Sequence, residues 1–363
     1  MRVVAVDAVH PDPDVLADAA QILRAGGLVA FPTETVYGLG ANALDPDAVA
    51  RIYAAKGRPA WNPVIMHVAS ADMAAGFASH WPISAARLAE RCWPGPLTLV
   101  VPRADHVPDI VSAGGDTVAL RVPSHPVALA LITAAGCPIA APSANRFTQV
   151  SPTTAQHVVA SLGDRVGLVL DGGPSTVGIE STVVDCTGDT VTILRPGMLG
   201  RETLEAALDG LGVAVRHAAP RAVPHAASQA LAEASTHADD GTPAAPRSPG
   251  MADRHYAPRA DVWLFAPEQQ AEVSTALIAR QEGSADSGPT MALLRGTVFG
   301  PSSGNGPEMM TLTMPQAPDA YARALYAALH EVDARRASLV LIEMPPDEPG
   351  WEGVRDRLTR ASR

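Results

Sequence analysis

The chain has 363 residues, more than one hydrophobic core usually serves, so two domains are expected. Its 47% hydrophobic content suits a buried core, yet no apolar run reaches the ~20 residues of a membrane span. Asp7 stands where a signal peptide would be apolar, so the expectation is a cytoplasmic protein with no membrane partner.

Residues 1 to about 210 alternate short β-rich runs with helical segments. VVAV opens the series, and Asp14 to Arg24 then carries apolar side chains at helical spacing and stops at Gly26-Gly27. LVAF precedes a hydroxyl-rich turn at Thr33 to Gly38, and Asp45-Pro46 opens a helix that ends at Lys56. VIMHV, LTLVV, TVALRV, PIAAP and VGLVL follow as strands, with STVVDC and VTILR close together and no helix between them. Strands outnumber helices, which predicts an α/β fold with a mixed, twisted sheet and helices packed on it. From 213 the sequence turns to Ala, Pro, His and Ser without a period, the composition of a connector. It ends in Ser248-Pro249-Gly250-Met251 and Arg254-His255-Tyr256-Ala257-Pro258. A smaller α/β region follows from 259, with VWLF, MALLR and SLVLIEM as strands and a helix over Ala320 to Ala334. The organisation read from the sequence is a domain over 1–212, a connector over 213–258 and a second domain over 259–363.

Several chemistries are excluded by pattern. The net charge of -11 opposes sequence-independent gripping of nucleic acid, which works by neutralising many phosphates. Cys92, Cys137 and Cys186 lack the paired spacing of a zinc site, an iron-sulfur cluster or a disulfide framework. No Gly-Lys-Ser/Thr loop is present, and Gly38-Leu39-Gly40 is not continued to a third glycine. Gly300 to Gly304 matches G-x-S-x-G, but the residues after it continue as loop, and a nucleophile elbow needs a strand-to-helix turn.

Lys56 is the only lysine among 27 Lys and Arg residues. Lysine supplies a compact mobile charge where arginine supplies a planar fork, so this one exception marks a candidate for following phosphate oxygens through a reaction. Lys56-Gly57 with Pro59 beyond is also how a helix ordinarily stops. Arg58 and Asn62 follow in the same loop. Four strand ends carry small polar or cationic groups: Thr33 to Tyr37, Ala141 to Asn145, Gly178 to Thr182 and Arg195. Ser and Asn make ordinary turns and caps as well. If these ends share one sheet edge, they line a single crevice with donors for a polyanion.

PTETVYGLGANA, KGRP with Asn62-Pro63, His67, WPGPLT, TVALRVPSHP, APSAN, IESTVVD, LRPG, the Ser248 to Pro258 segment and LYAALHEVDA together resemble the YrdC-like threonylcarbamoyl-adenylate synthases. The likeness is to their longer form, with a C-terminal domain. It implies a YrdC-like twisted sheet followed by a Rossmann-like α/β domain on a long linker. It also implies synthesis of threonylcarbamoyl-AMP and pyrophosphate from ATP, bicarbonate and L-threonine, with Mg2+. The product would pass to a tRNA threonylcarbamoyl transferase for N6-threonylcarbamoylation of adenosine 37, tRNA contact being secondary. By the same resemblance, Lys56 and Arg58 hold the triphosphate. Asn62, Thr117, Ser143, Asn145, Ser151, Arg195 and Tyr256 complete the nucleotide site. Thr35, His67, Arg121, Ala141 and Ser181 hold threonine. Tyr256 would close over the nucleotide, Glu34 and Tyr37 would line the cavity, and no protein metal ligand is assigned.

Overall fold

The computed structural model describes residues 1–218, 255–283, 288–297 and 309–363. Most of the connector, including Ser248 to Arg254, lies outside the described residues, as does the Gly300 to Gly304 motif. In the first region the strands are β1 (Arg2–Ala5), β2 (Val29–Phe31), β3 (Gly38–Asn42), β4 (Ile65–His67), β5 (Leu97–Pro102) and β6 (Thr117–Arg121). They continue as β7 (Ile139–Ala140), β8 (Leu168–Asp171), β9 (Thr182–Asp185), β10 (Val191–Arg195) and β11 (Val215–His217). All eleven join one sheet in the order β1-β8-β2-β3-β7-β4-β6-β5-β9-β10-β11. The pairing is mixed, as the sequence predicts: β4 runs parallel to β6, whereas β5 pairs with β6 and β7 with β4 antiparallel.

Two strands depart from the sequence reading. Gly38–Asn42, read only as part of a turn, is a strand paired with β2 and β7. Val215–His217, placed in the connector, adds a parallel edge strand to β10.

The helices begin and end where capping chemistry dictates. Pro13–Arg24 starts at Asp12, whose carboxylate accepts from the Asp14 N–H, and Pro46–Lys56 starts at Asp45, which accepts from Asp47 and Ala48. The second helix ends as Gly57 enters the left-handed region at φ 62°, which only glycine adopts at no steric cost. This ordinary stop is what aims the Lys56 side chain inward.

The second region holds β12 (Asp261–Phe265), β13 (Thr290–Leu294), β14 (Met310–Thr313) and β15 (Leu339–Glu343), an all-parallel sheet in the order β12-β15-β13-β14. Its helices include Pro318–Ala334, which starts two residues before the segment read from sequence, and Glu352–Ala361. Val36, Val150 and Ile179 of the first region pack with Tyr256, Leu325 and Leu358 in one buried cluster. The two regions therefore share part of a core instead of meeting at a wet surface.

Candidate functional site

A narrow trough runs across one face of the first sheet. Ile65, which packs with Val100, Ala119 and Val183 in a small apolar cluster, is part of its lining. Side chains two apart on a strand share a face, so Thr117, Ala119 and Arg121 of β6 lie on one side, as do Ile65 and His67 of β4. Thr117 and Arg121 occupy opposite ends of β6, about 13 Å apart at the usual strand rise. The strand ends do not share one sheet edge, because β7 runs antiparallel to β4, yet Thr35, Ala141, Ser143, Ser181 and Arg195 from all four ends line this one trough with Arg58. His67 and Arg121 are level at one end, because β4 and β6 are parallel with His67 opposite Arg121. Antiparallel β7 instead carries Ala141 back to the level of Ile65, whose carbonyl accepts from the Ala141 N–H at 3.0 Å. A ligand lying in the trough spans the sheet face from end to end.

Residues around the trough include Thr35, Arg58, His67, Arg121, Ala141, Ser143, Glu180, Ser181, Arg195, His255 and Tyr256. At the Arg121 end, its Nη1 donates to Thr35 Oγ1 at 2.9 Å and its Nη2 stands 2.7 Å from Glu34 Oε1. Burial pushes the Glu34 carboxyl up, but the Arg121 charge and hydrogen bond outweigh it and hold the group below the usual range. Glu34 thus backs Arg121. Burial, with the Arg121 charge adding to it, drops His67 to about 3, so the imidazole is neutral at physiological pH. Its Nδ1 has no partner within the protein.

At the other end, Arg58 donates through Nη2 to Asn62 Oδ1 at 2.6 Å and to the Pro63 carbonyl at 2.7 Å. The β4–β6 register, carried back two residues, puts Pro63 level with Thr117, so Thr117 belongs to this end. Arg195, from the end of β10, is level with Arg121 through the β10–β9–β5–β6 register, and it donates to the Ser181 carbonyl at 3.0 Å and to Ser181 Oγ at 3.2 Å. Ser181 Oγ also shares a hydrogen bond with Thr98 at 2.7 Å. Asn62 Nδ2, His67 Nδ1, His255 Nδ1 and Tyr256 OH are buried without a protein partner. Buried polar groups are ordinarily paired, so this concentration is what a binding site leaves for its ligand.

Five of the sequence-derived residues stand behind or beside the trough. Lys56 is 2% exposed, and its Nζ donates to the Ser143 and Asn145 carbonyls at 2.5 Å each. Burial and then the Arg58 charge pull its pKa well below the ordinary lysine value. Asn145 donates to the Arg146 and Gln149 carbonyls, which fixes its own turn, and Ser151 donates to Glu180 at 2.6 Å. Asn62 supports Arg58, and Thr117 flanks Pro63. Tyr37 donates to the Gly173 carbonyl at 2.6 Å and serves the fold. Glu180, His255, Tyr326 and Arg357 meet at the site although the sequence reading gave them no role. Glu180 and His255 were visible inside quoted motifs; nothing in the charged run around Arg357 marks it.

With His255 and Tyr256 in place, the trough holds only about 40 Å³, room for a few waters and not for a nucleotide. Tyr256 is 1% exposed and sits at φ 62°, a costly conformation for a bulky residue. Ligand entry therefore requires the Tyr256 segment to move.

Three buried arginines around one trough, one of them beside a neutral histidine, mark a class: an α/β protein with a site suited to anionic ligands. Comparison with known proteins agrees. Residues 21–197 match the family described as Telomere recombination, and residues 201–363 match the family described as Threonylcarbamoyl-AMP synthase, C-terminal domain. The chain is 37% identical over 358 residues to the threonylcarbamoyl-AMP synthase of Bacillus subtilis, covering 97% of this chain and 93% of that one. It is 39% identical over 348 residues to the Pyrococcus abyssi enzyme of the same name, covering 95% and 93%. The crystal structure of Pyrococcus abyssi Sua5 complexed with L-threonine matches with a TM-score of 0.82 and 35% identity, over 100% of this chain and 98% of that one. The chain belongs to the threonylcarbamoyl-AMP synthase family.

Among the described residues no group of three or more His, Cys, Asp or Glu could hold a metal ion, and no helix is long and apolar enough to cross a membrane.

Proposed function

We propose that this enzyme makes threonylcarbamoyl-AMP and pyrophosphate from ATP, bicarbonate and L-threonine. The observation that supports this reading best is the pairing of two unlike ends in one trough: Arg121 and His67 at one, Arg58 and Asn62 at the other. Threonine lies at the Arg121 end, where the guanidinium grips its carboxylate with both nitrogens. Thr35, Ser181, the Ala141 backbone and the free Nδ1 of neutral His67 meet its amine and hydroxyl.

The amine condenses with bicarbonate to a carbamate and water. A carbamate oxygen attacks the α-phosphorus of ATP, and pyrophosphate leaves. Nothing in this sequence requires a protein nucleophile; it requires two anions held in line and phosphate charge neutralised. We assign that neutralisation to Arg58 and Arg195, with Ser143, Asn62 and Thr117 along the nucleotide. Lys56 acts through the Ser143–Asn145 turn that it holds, and Ser151 through Glu180. Mg2+ fits this site as part of the substrate. The two carboxylates nearest the trough, Glu34 and Glu180, are each paired with an arginine, so the ion would be held mainly through the nucleotide's phosphates and would supply charge neutralisation there.

Tyr256 closes over the nucleotide and excludes water from a hydrolysable mixed anhydride. The chain divides functionally into a catalytic domain up to the edge of the connector, the connector itself and the C-terminal α/β domain. We place the enzyme in the cytoplasm, where its product passes to a separate transferase that acts on adenosine 37 of tRNA. Mass spectrometry of the purified protein with ATP, bicarbonate, Mg2+ and threonine tests substrates and product together. A threonine-dependent mass of threonylcarbamoyl-AMP is expected, and ATP turnover indifferent to threonine would reject the reading.

A further inference from the structure

The C-terminal region reaches the trough through one carboxylate. Glu180 lies immediately before Ser181, is 7% exposed, and accepts from Ser151 Oγ at 2.6 Å, Tyr326 OH at 2.8 Å and Arg357 Nε at 2.7 Å. Tyr326 and Arg357 belong to the two C-terminal helices Pro318–Ala334 and Glu352–Ala361. Arg357, whose side chain is 0% exposed, also donates to the Pro196 carbonyl at 2.9 Å and to the Glu180 carbonyl at 3.3 Å. Its guanidinium carbon lies 5.1 Å from the Tyr256 ring centre, and the Tyr326 ring stacks 6.0 Å from the same ring. One side chain therefore touches the loop before Ser181, the loop after Arg195 and the closing tyrosine.

The seating leaves no slack. A Cβ on Gly353 would meet the Gly197 carbonyl oxygen at 2.7 Å, and one on Gly178, at φ 88°, would meet the Ala322 oxygen at 2.5 Å. Backbone meets backbone on both sides of Glu180, so the helices cannot shift without moving the site loops.

We infer that Arg357 and Tyr326 are positioning residues of the nucleotide site: through Glu180 they fix the loops bearing Ser151, Ser181 and Arg195 and hold Tyr256 in its strained pose. This deepens the proposed function and rests on its assignment of the nucleotide to Arg58 and Arg195. The physical need is plain. A carboxylate in the wall of an anion site repels phosphate and competes for the cations meant for it. Glu180 faces Arg195, Lys56, His255, Tyr256, Tyr326, Ser151 and Arg357. Burial raises its pKa, but Arg357 and then Arg195 outweigh that and hold it at about 2, so the charge is permanent. Arg357 neutralises it from behind the wall. Without Arg357, Glu180 is left as a buried charge whose nearest remedy is Arg195.

The test uses the full chain and four variants: Tyr326→Phe, Arg357→Met, Arg357→Lys and, as a control, Arg323→Met. Arg323 donates to the Thr176 carbonyl at 2.7 Å from the same helix as Tyr326 but does not touch Glu180. Calorimetry measures ATP and threonine affinity separately, and pyrophosphate release gives kcat and KM against pH. Tyr326→Phe is expected to weaken ATP about tenfold, the size of one hydrogen bond to a charged group, with threonine changed by less than about threefold. Arg357→Met weakens ATP about a hundredfold or more, and Arg357→Lys restores part of the loss.

Arg357→Met also regains part of its lost kcat/KM on acidification, because a protonated Glu180 no longer repels phosphate or competes for Arg195. Removing the cation raises the depressed Glu180 pKa, so Glu180 protonates as pH falls through a range where the parent holds it ionised. Arg323→Met keeps ATP affinity within about twofold. The inference is overturned if Tyr326→Phe binds ATP like the parent, or if Arg323→Met loses as much. It is overturned too if ATP and threonine weaken equally in step with the melting temperature. Should Arg357→Met fail to fold, Tyr326→Phe against Arg323→Met decides. A parent that binds ATP but releases no threonine-dependent pyrophosphate sinks the proposed function alone, since the ATP affinities still judge the positioning role.

Discussion

Two buried glutamates, one in each region, show how differently the same group is used. Glu343, at the end of β15 and 3% exposed, takes four hydrogen bonds on one oxygen, from the Arg295, Gly296 and Thr297 N–H groups and from Thr297 Oγ1. Its partners come from one local loop, and Glu343 itself does not line the first region's trough, with its unpaired buried groups. Glu180 takes its partners from three separate segments, two of them across the regional boundary, and borders a cavity rich in unpaired polar atoms. Both carboxyls are held below the ordinary value despite the opposing push of burial. A depressed pKa alone therefore does not mark a working site; the origin of the partners and what else borders them do.

The largest effect should come from Lys56, where the first region is least able to compensate. Lys56→Ala leaves two carbonyls of the Ser143–Asn145 turn without their donor, at about 1–3 kcal/mol each, and removes the charge behind the phosphate wall. Turnover should fall by about two to three orders of magnitude, with far-UV circular dichroism retained. Lys56→Arg should not restore it, because a planar fork cannot occupy a seat built for a point charge. Near-normal turnover in the alanine variant would break the assignment.

Next in size, Arg121→Met should weaken threonine about fiftyfold, as loss of a charge-assisted pair to a carboxylate does, while ATP changes several-fold less. Equal losses for both ligands in calorimetry would show that the trough does not have two distinct ends.

Much of this architecture was legible because it obeys local rules. Asp45-Pro46 and Gly57 mark a helix start and stop by capping chemistry, and the runs around β4, β5 and β6 mark buried strands by composition. β3 escaped because Gly38-Leu39-Gly40-Ala41-Asn42 carries no β-branched residue; two neighbouring strands impose its conformation. The trough's course escaped for a related reason. Which residues share an end depends on strand direction, and antiparallel β7 reverses the Ala141 end relative to His67. Arg357 was illegible altogether. In a helix reading Glu-Gly-Val-Arg-Asp-Arg-Leu-Thr-Arg it resembles a solvated charge, and its burial exists only because a carboxylate 177 positions earlier comes to meet it.

The contrast between the two glutamates can be sharpened by removing the structural one. Glu343→Gln should cost about 1–3 kcal/mol of stability, since a neutral amide accepts these bonds less strongly, and should leave ATP and threonine affinities unchanged. The sign with pH follows from the depressed pKa: the Glu343 contribution is present above its unfolded value and lost as pH falls through the folded one. The parent should therefore lose more stability on acidification than the variant in parallel thermal melts. A fall in catalysis would mean that the second region's sheet also feeds the site.

The smallest change, Tyr256→Phe, isolates a single atom. The Tyr256 hydroxyl is buried without a protein partner, so deleting it removes no hydrogen bond from the fold and relieves a desolvated dipole. The ring keeps its contacts with Arg357, Tyr326 and His255. The melting temperature should therefore stay level or rise slightly, while KM for ATP rises about three- to tenfold, the worth of one hydrogen bond made only to a ligand. Stability and affinity moving in opposite directions is a signature that no purely structural role produces. A lower melting temperature with unchanged KM would return Tyr256 to the shared core and take the closing role away from it.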